Sequence, residues 1–289
     1  MDVLVVGGGI VGAAVAAGCA SRGMSVTLVE RGLIAGGASS LGLALLGRPV
    51  PAVLESLAAT GADGYRALHR FTGGAFLYDV TASASGLRRI DPRAAAAALL
   101  EEARGHRATV HTGCDVKRLL RQWGRVVGAA TDAGELRAST TVVAAGAGSW
   151  GVCRELAFHA PVRGVPGEVV VTSPLDRELE PVAVAGAWVA QDAGQRLWIA
   201  RPDEAVSLLP EELACDELER RALAAPMTPD GLPLHGPVPE LDGLVLACGH
   251  GDHGIALAPG VGAAIAAGIE SGSWRTALSP VRFAPSLTP

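Results

Sequence analysis

The chain has 289 residues, 49% hydrophobic and 18% charged, with a net charge of −5. That balance excludes a disordered chain, and the weak negative charge with scattered arginines gives no basic field for nucleic acid or acidic lipid. The longest apolar runs, such as residues 41–47, fall short of the ~20 residues that span a bilayer, so the expected ligand is a small molecule and no membrane segment is expected.

Residues 2–6, DVLVV, form a β-branched run that stops at glycine, and residues 26–30, VTLVE, form another. Between them IVGAAVAAGCASRG carries small residues at helical period. Strand, helix and strand in this order make a parallel pair joined by a right-handed crossover. Met1 leads almost directly into the first strand, which leaves no room for a charged and apolar leader, and the expected location is the cytoplasm. Residues 73–80, GGAFLYDV, read as a strand. Pro92 after a capping Asp91 opens a helix that stops at Gly105.

Strands are expected at 108–116, 125–132 and 140–148. Segments 162–172, 182–190, 195–201 and 204–210 read as antiparallel strands with turn residues between them, and 211–223, EELACDELERRAL, reads as an amphipathic surface helix. A buried strand at 243–251 and an alanine-rich helix from Ala258 to Glu270 close the pattern. The expected fold class is α/β, with a discontinuous Rossmann-like domain (1–46, 84–158 and 224–289) and a small antiparallel-sheet domain (47–83 and 159–223) inserted into it. Cys19, Cys114, Cys153, Cys215 and Cys248 are odd in number and show no CxxC, so they read as reduced, buried thiols with no metal site or disulfide frame.

Gly7, Gly9 and Gly12 follow the first strand, open the first helix, and precede Glu30, which ends the second strand eighteen residues past Gly12. This is the context in which GxGxxG binds a dinucleotide. Gly7 allows the tight turn, Gly9 removes the side chain where a phosphate approaches, and Gly12 lets the helix lie close to the sheet. Ile10 and Val11 bring the first helical N–H groups and the positive helix end to the pyrophosphate. Glu30 accepts from ribose hydroxyls. These residues leave a nicotinamide and a flavin both open.

The stretch 227–269, MTPDGLPLHGPVPELDGLVLACGHGDHGIALAPGVGAAIAAGI, resembles the close of the glycine oxidase, sarcosine oxidase and D-amino acid oxidase family of FAD enzymes. So do the fingerprint, ERG at 30–32, GGASS at 36–40, GLRRIDPRAAAAALLEEA at 86–103 and VVAAGAGSW at 142–150. The resemblance touches the α/β segments and is that of a shortened member. It implies a flavin held at its pyrimidine edge by the turn of Gly251, Asp252, His253, Gly254 and Ile255 and by the helix that follows. Backbone N–H groups there stabilise negative charge on the reduced ring. It also implies that Ser39 and Ser40 bond the pyrophosphate or flavin, Arg31 lies over the adenosine, the Val116 backbone meets adenine, and Ala145, Gly146 and Ala147 lie near the diphosphate. The family's covalent-flavin cysteine is absent before TPD, which reads RALAAPM, so the FAD is expected to be non-covalent.

Two departures from the family's pattern concern the substrate. The chain is short between Gly47 and Gly73, and the arginine that clamps a substrate carboxylate is replaced by Ala225, with Asp252 at a second basic position. A buried carboxylate needs another donor. Arg201 is the first candidate, followed by Arg48 and Arg163. His250 and His253 flank the flavin turn and are the candidates for proton transfer or charge stabilisation, because an imidazole titrates near neutrality. His235 reads as structural. Lys117, the only lysine, follows the adenine contact and is badly placed to activate oxygen.

The implied reaction is FAD-dependent oxidation of glycine or an N-substituted glycine, N-alkyl or N-carboxymethyl. The Cα hydride passes to flavin N5, and the resulting imine is hydrolysed. O2 is the expected acceptor and H2O2 the product, in secondary-metabolite biosynthesis, with a homodimer as the expected assembly. Three alternatives stand beside it: a flavoprotein subunit passing electrons to a partner, a non-catalytic FAD-binding protein, and a nicotinamide dehydrogenase.

Overall fold

The computed structural model describes residues 1–40, 42–74, 76, 86–156, 158, 160–184, 187–200 and 216–283. Strand β1 (Asp2–Val6) buries every residue except Asp2, as a central parallel strand with helices on its faces must. It pairs in parallel with β2 (Ser25–Glu30) on one side and β9 (Thr140–Val143) on the other. Strand β5 (Thr109–Thr112) extends the sheet beyond β2, and β16 (Leu244–Cys248) extends it beyond β9. Strand β15 (Leu234–Pro237) closes that edge in the antiparallel sense, giving the six-stranded order β15-β16-β9-β1-β2-β5.

Helix α1 (Ile10–Ala20) crosses from β1 to β2, and α3 (Pro92–Gly105) precedes β5. The α3 start is legible in the sequence: Pro92 takes the first turn, and Asp91 accepts from the N–H groups of Arg93 and Ala94 at 2.8 and 3.1 Å. Strands β6 (Val116–Gln122), β7 (Arg125–Thr131) and β8 (Gly134–Arg137) make a separate antiparallel meander before β9, and α4 (Ser149–Cys153) follows β9. A second sheet of five antiparallel strands has the order β11-β12-β13-β10-β14. It comprises β10 (Arg163–Pro174), β11 (Val182–Val184), β12 (Ala187–Gln191), β13 (Arg196–Ala200) and β14 (Glu217–Met227). One of its faces, with Val169, Val171, Ala190 and Trp198, packs on Leu43 and Leu45, the latter from β3 (Leu45–Leu46), which pairs with β4 (Arg88–Arg89).

Helix α5 (Gly254–Ser271) lies between α1 and α2 (Glu55–Thr72). With the turn before it, it is long and apolar enough to cross a membrane, but here that apolarity is buried: Leu257, Ala258, Val261, Ile265 and Ala266 share one core with Val15, Leu57 and Tyr65. A Cβ on Gly18 would lie 2.5 Å from the Gly262 carbonyl oxygen, and one on Gly262 would run into that of Ala14, so α1 and α5 touch backbone to backbone. Pro259 sits inside α5 and has no N–H for the carbonyl of Ile255. The Tyr65 hydroxyl donates to that carbonyl instead, at 2.6 Å. Burial pushes the phenol pKa up, which keeps it the protonated donor.

Two elements differ from the sequence reading. The segment 211–223 reads as a helix, yet residues from Glu217 on form β14, paired along its length with β10. Glu219, Arg220 and Arg221 give the segment a helical charge pattern, but these are the charges of a protected sheet edge, paired with neighbours: Arg220 to Glu168 at 2.8 Å and Arg221 to Glu219 at 2.6 Å. The second difference is α2, which the reading does not anticipate. Residues 47–83 are expected in the inserted domain, whereas Leu57, Tyr65 and Leu68 of α2 join the core beside α1, α3 and α5. Glycines at 61 and 64 obscure the helical period, and both lie against α5: a Cβ on Gly61 would be 2.5 Å from the Ala256 oxygen, and one on Gly64 would strike Pro259. Most of the strand expected at 73–80 and all of that at 204–210 lie outside the described residues.

Replacing Tyr65 by phenylalanine leaves the Ile255 carbonyl buried without a donor, which should lower stability by about 1–3 kcal/mol. Thr60→Ala, which removes an exposed hydroxyl on the same helix, should change it by less than about 0.5 kcal/mol. Thermal unfolding of the FAD-free proteins measures both.

Candidate functional site

The parallel strands β1, β9 and β16 all end at one cavity of about 1490 Å³. After β1 the chain turns at Gly7, whose φ is 113° and whose Cβ would lie 2.6 Å from the Ala144 oxygen. Gly12 rests on the Gly7 carbonyl with no room for a side chain. Gly9 differs: a Cβ there would meet only Ser39 Oγ, at 3.3 Å, so its bareness faces the cavity. Helix α1 has no cap from its own N-cap residue, Gly9, and its positive end opens on the same space. The Ile10 N–H donates to Ser39 Oγ at 3.1 Å. At the end of β2 the Glu30 carboxylate accepts from Gly8 N–H at 2.7 Å and Gly32 N–H at 2.8 Å, which fixes it at the cavity wall.

The other end of the cavity is made by the turn between β16 and α5. Gly251, with φ 54°, and Asp252, Gly254 and Ile255 line it, and α5 also starts without a side-chain cap. Two uncapped helix N-termini therefore open on one space. Val11, Arg31, Val116, Ala145 and Gly146 complete the wall from other elements. Ser40 and His253, both expected at the cofactor, are not part of that wall, and Ser40 Oγ instead donates to the Gly37 carbonyl at 3.0 Å inside its own turn.

The two candidate histidines differ from each other. His250 is 4% exposed, and its Nε2 lies 2.8 Å from Nε2 of the equally buried His235, so one ring donates and the other accepts. Burial pushes the His250 pKa down to about 3 and that of His235 well below its ordinary value, so at neutral pH the pair carries no charge. An imidazole so placed holds the turn and cannot supply a cation to it. His253 is also pushed down, by burial first and by Arg48 second.

Arg48, just past β3, reaches the cavity with a side chain 18% exposed. Its guanidinium stands 5.2 Å from the Trp188 ring centre, its Nη2 is 3.6 Å from Asp252 Oδ2, and its Nε is buried with no hydrogen-bond partner among the described residues. Arg163 is exposed in β10 and outside the wall. Arg201, the first candidate from sequence, lies outside the described residues. Trp188 escaped the sequence reading because nothing in AWVAQ tells which alternating face of β12 meets Arg48.

The sequence matches the FAD dependent oxidoreductase family (DAO) over residues 2–83, 70–224 and 202–267. The chain belongs to that family. It is 32% identical over 166 residues to a glycine oxidase of Pseudomonas putida, an alignment covering 50% of this chain and 46% of that protein. The chain spans about half the length of the curated relatives it matches. The structure of glycine oxidase from Bacillus cereus superimposes with a TM-score of 0.82 at 21% identity, covering 96% of this chain and 97% of that one. L-proline dehydrogenase from P. horikoshii gives 0.86 at 20%, covering 98% and 97%.

The family's cofactor is FAD, and the cavity fits it. The open cradle at Gly9 and the α1 N-terminus would take the pyrophosphate, Glu30 the adenosine ribose, the Val116 backbone the adenine, and the α5 turn the flavin ring. Because a Cβ on Gly9 meets only a serine hydroxyl, Gly9→Ala should leave the unfolding temperature of the FAD-free protein nearly unchanged while weakening FAD binding by at least about tenfold, or 1.4 kcal/mol. Fluorescence titration with FAD reads the second effect. The histidine pair gives a pH test. An unfolded histidine titrates near 6.5 and His250 near 3, so between those values the unfolded chain binds more protons and stability falls as pH falls. Urea unfolding should show this loss between pH 7.5 and 5, and His235→Gln, with one buried imidazole fewer, should show a smaller one.

Proposed function

We propose that this protein oxidises glycine or an N-alkylglycine, holding the substrate carboxylate on Arg48 and using O2 as the electron acceptor. The observation that carries the reading is a guanidinium only 18% exposed, whose Nε has no partner among the described residues, set beside apolar residues of the cavity wall. That wall includes Leu43, Ala187, Trp188, Ala200, Leu223, Ala225 and Met227, contributed mostly by the five-stranded sheet. A guanidinium in such surroundings binds a carboxylate far better than it would in water, because both groups have already lost part of their hydration. Similarity to proteins named glycine oxidase supports an amino acid substrate, and the small residue at Ala225 leaves room for an alkyl group on nitrogen.

FAD supplies the acceptor for the hydride that leaves Cα when the neutral amine is oxidised. The chain's own part is to orient and to exclude water. Arg48 fixes the carboxylate end and the apolar side chains of β14 and β12 confine the rest, so the C–H bond is held in one direction. The uncapped N-terminus of α5 places positive potential at the flavin turn, which favours the extra negative charge of the reduced ring. Since His250 is neutral and committed to His235, no side-chain base is needed beyond the amine's own lone pair. Water then hydrolyses the imine product.

Anaerobic addition of sarcosine or another N-alkylglycine should bleach the yellow FAD-loaded protein, and air should restore the colour with formation of H2O2. Bleaching by NADH alone, or by no amine in a panel of glycine, N-alkylglycines and D-amino acids, would overturn the reading. Restoration only by a dye or a partner protein would replace O2 as the acceptor. Arg48→Met should raise KM by about tenfold to a hundredfold, the 1.5–3 kcal/mol of a hydrogen bond to a charged group.

A further inference from the structure

Asp252 stands where its carboxylate competes with any ligand for Arg48. The Nη2 to Oδ2 distance of 3.6 Å exceeds that of a hydrogen-bonded ion pair, and the Asp252 side chain is 51% exposed. Such a pair is weak and open to exchange. Glu168, another carboxylate that lines the cavity, is engaged by Arg220 at 2.8 Å. Burial pushes the pKa of His253, beside Asp252, below its ordinary value, which disfavours a second cation there. Among the described residues, Asp252 is thus the carboxylate that faces the Arg48 guanidinium, and it is loosely held.

We infer that Asp252 is a specificity-determining residue: it occupies the seat on Arg48 as an internal carboxylate and yields it to ligands that carry both a carboxylate and a cationic nitrogen. This rests on Arg48 being the substrate's anion partner. A plain anion that takes Arg48 strips Asp252 of its partner and then faces its uncompensated negative charge. A dicarboxylate adds a second repulsion. A zwitterion replaces the lost contact, since its nitrogen takes up Asp252 as its carboxylate takes up Arg48. The internal pair and the ligand exchange partners, and no net charge is stranded. The selection concerns the arriving ligand, which sheds its ammonium proton to water before the C–H bond is oxidised.

The test uses probes that cannot be oxidised at Cα: acetate as the plain anion, malonate as the dicarboxylate, and glycine betaine as the zwitterion without a nitrogen lone pair. Each is titrated into the FAD-loaded protein and read by the shift in flavin absorbance. Wild type should bind betaine about tenfold more tightly than acetate, and malonate most weakly. In Asp252→Asn acetate should tighten about threefold to tenfold and betaine should weaken, closing the gap. Asp252→Ser repeats the measurement should the asparagine disturb flavin binding. An acetate-to-betaine ratio within twofold of wild type in both variants overturns the inference. Arg48→Met should weaken both probes at least tenfold and reduce the effect of Asp252→Asn on acetate to less than twofold, as expected for residues coupled through one contact. If Arg48→Met binds acetate as wild type does, the anchor reading fails. If it weakens acetate but Asp252→Asn acts equally in both backgrounds, only the role of Asp252 falls. Wild type that binds neither acetate nor betaine overturns both.

Discussion

The backbone contact between α1 and α5 sets the separation of the two helix ends on which the site depends. Gly18 and Gly262 admit no side chain at that contact, so the helices meet main chain to main chain. Neither helix is capped by its own N-cap side chain, Ser39 Oγ takes only the Ile10 N–H of α1, and each helix follows a parallel strand that ends at the same cavity. A ligand with anionic character at two distant points is what such a pair of positive ends selects. FAD meets that demand, with its pyrophosphate at one end and its reducible ring at the other.

The α5 end has its own support. Pro259 withdraws an N–H one turn into the helix, and Tyr65 from α2 replaces it with a hydroxyl, so the first turn of the helix is tied to a buried side chain 190 residues earlier in the chain. His235 and His250 hold the same turn from β15 by a contact that stays neutral at physiological pH. Helix α2 therefore belongs to the core that carries α1 and α5, and the five-stranded sheet begins at β10.

What the sequence revealed was local chemistry. The tight turn at Gly7, the close packing at Gly12 and the helix start at Asp91 and Pro92 are legible in the sequence, because each depends on backbone geometry within a few residues. What it hid was tertiary. The pattern of Glu217–Met227 is helical in charge and propensity, and only its pairing with β10 makes it a strand. Ser39 and Ser40 are indistinguishable as letters, yet one bonds the first turn of α1 and the other its own loop. The approach of Arg48, Trp188 and Asp252 joins three distant segments, so no local window could show it, and Arg201 lies outside the described residues.

The most direct test of the two-ended grip is calorimetric titration of the FAD-free protein with FAD, FMN and NAD+. One FAD should bind per chain, and FMN, which offers the ring but neither the adenosine ribose for Glu30 nor the full pyrophosphate, should bind at least about a hundredfold more weakly. Equal affinity for FMN and FAD, or NAD+ binding in place of either flavin, would contradict the account.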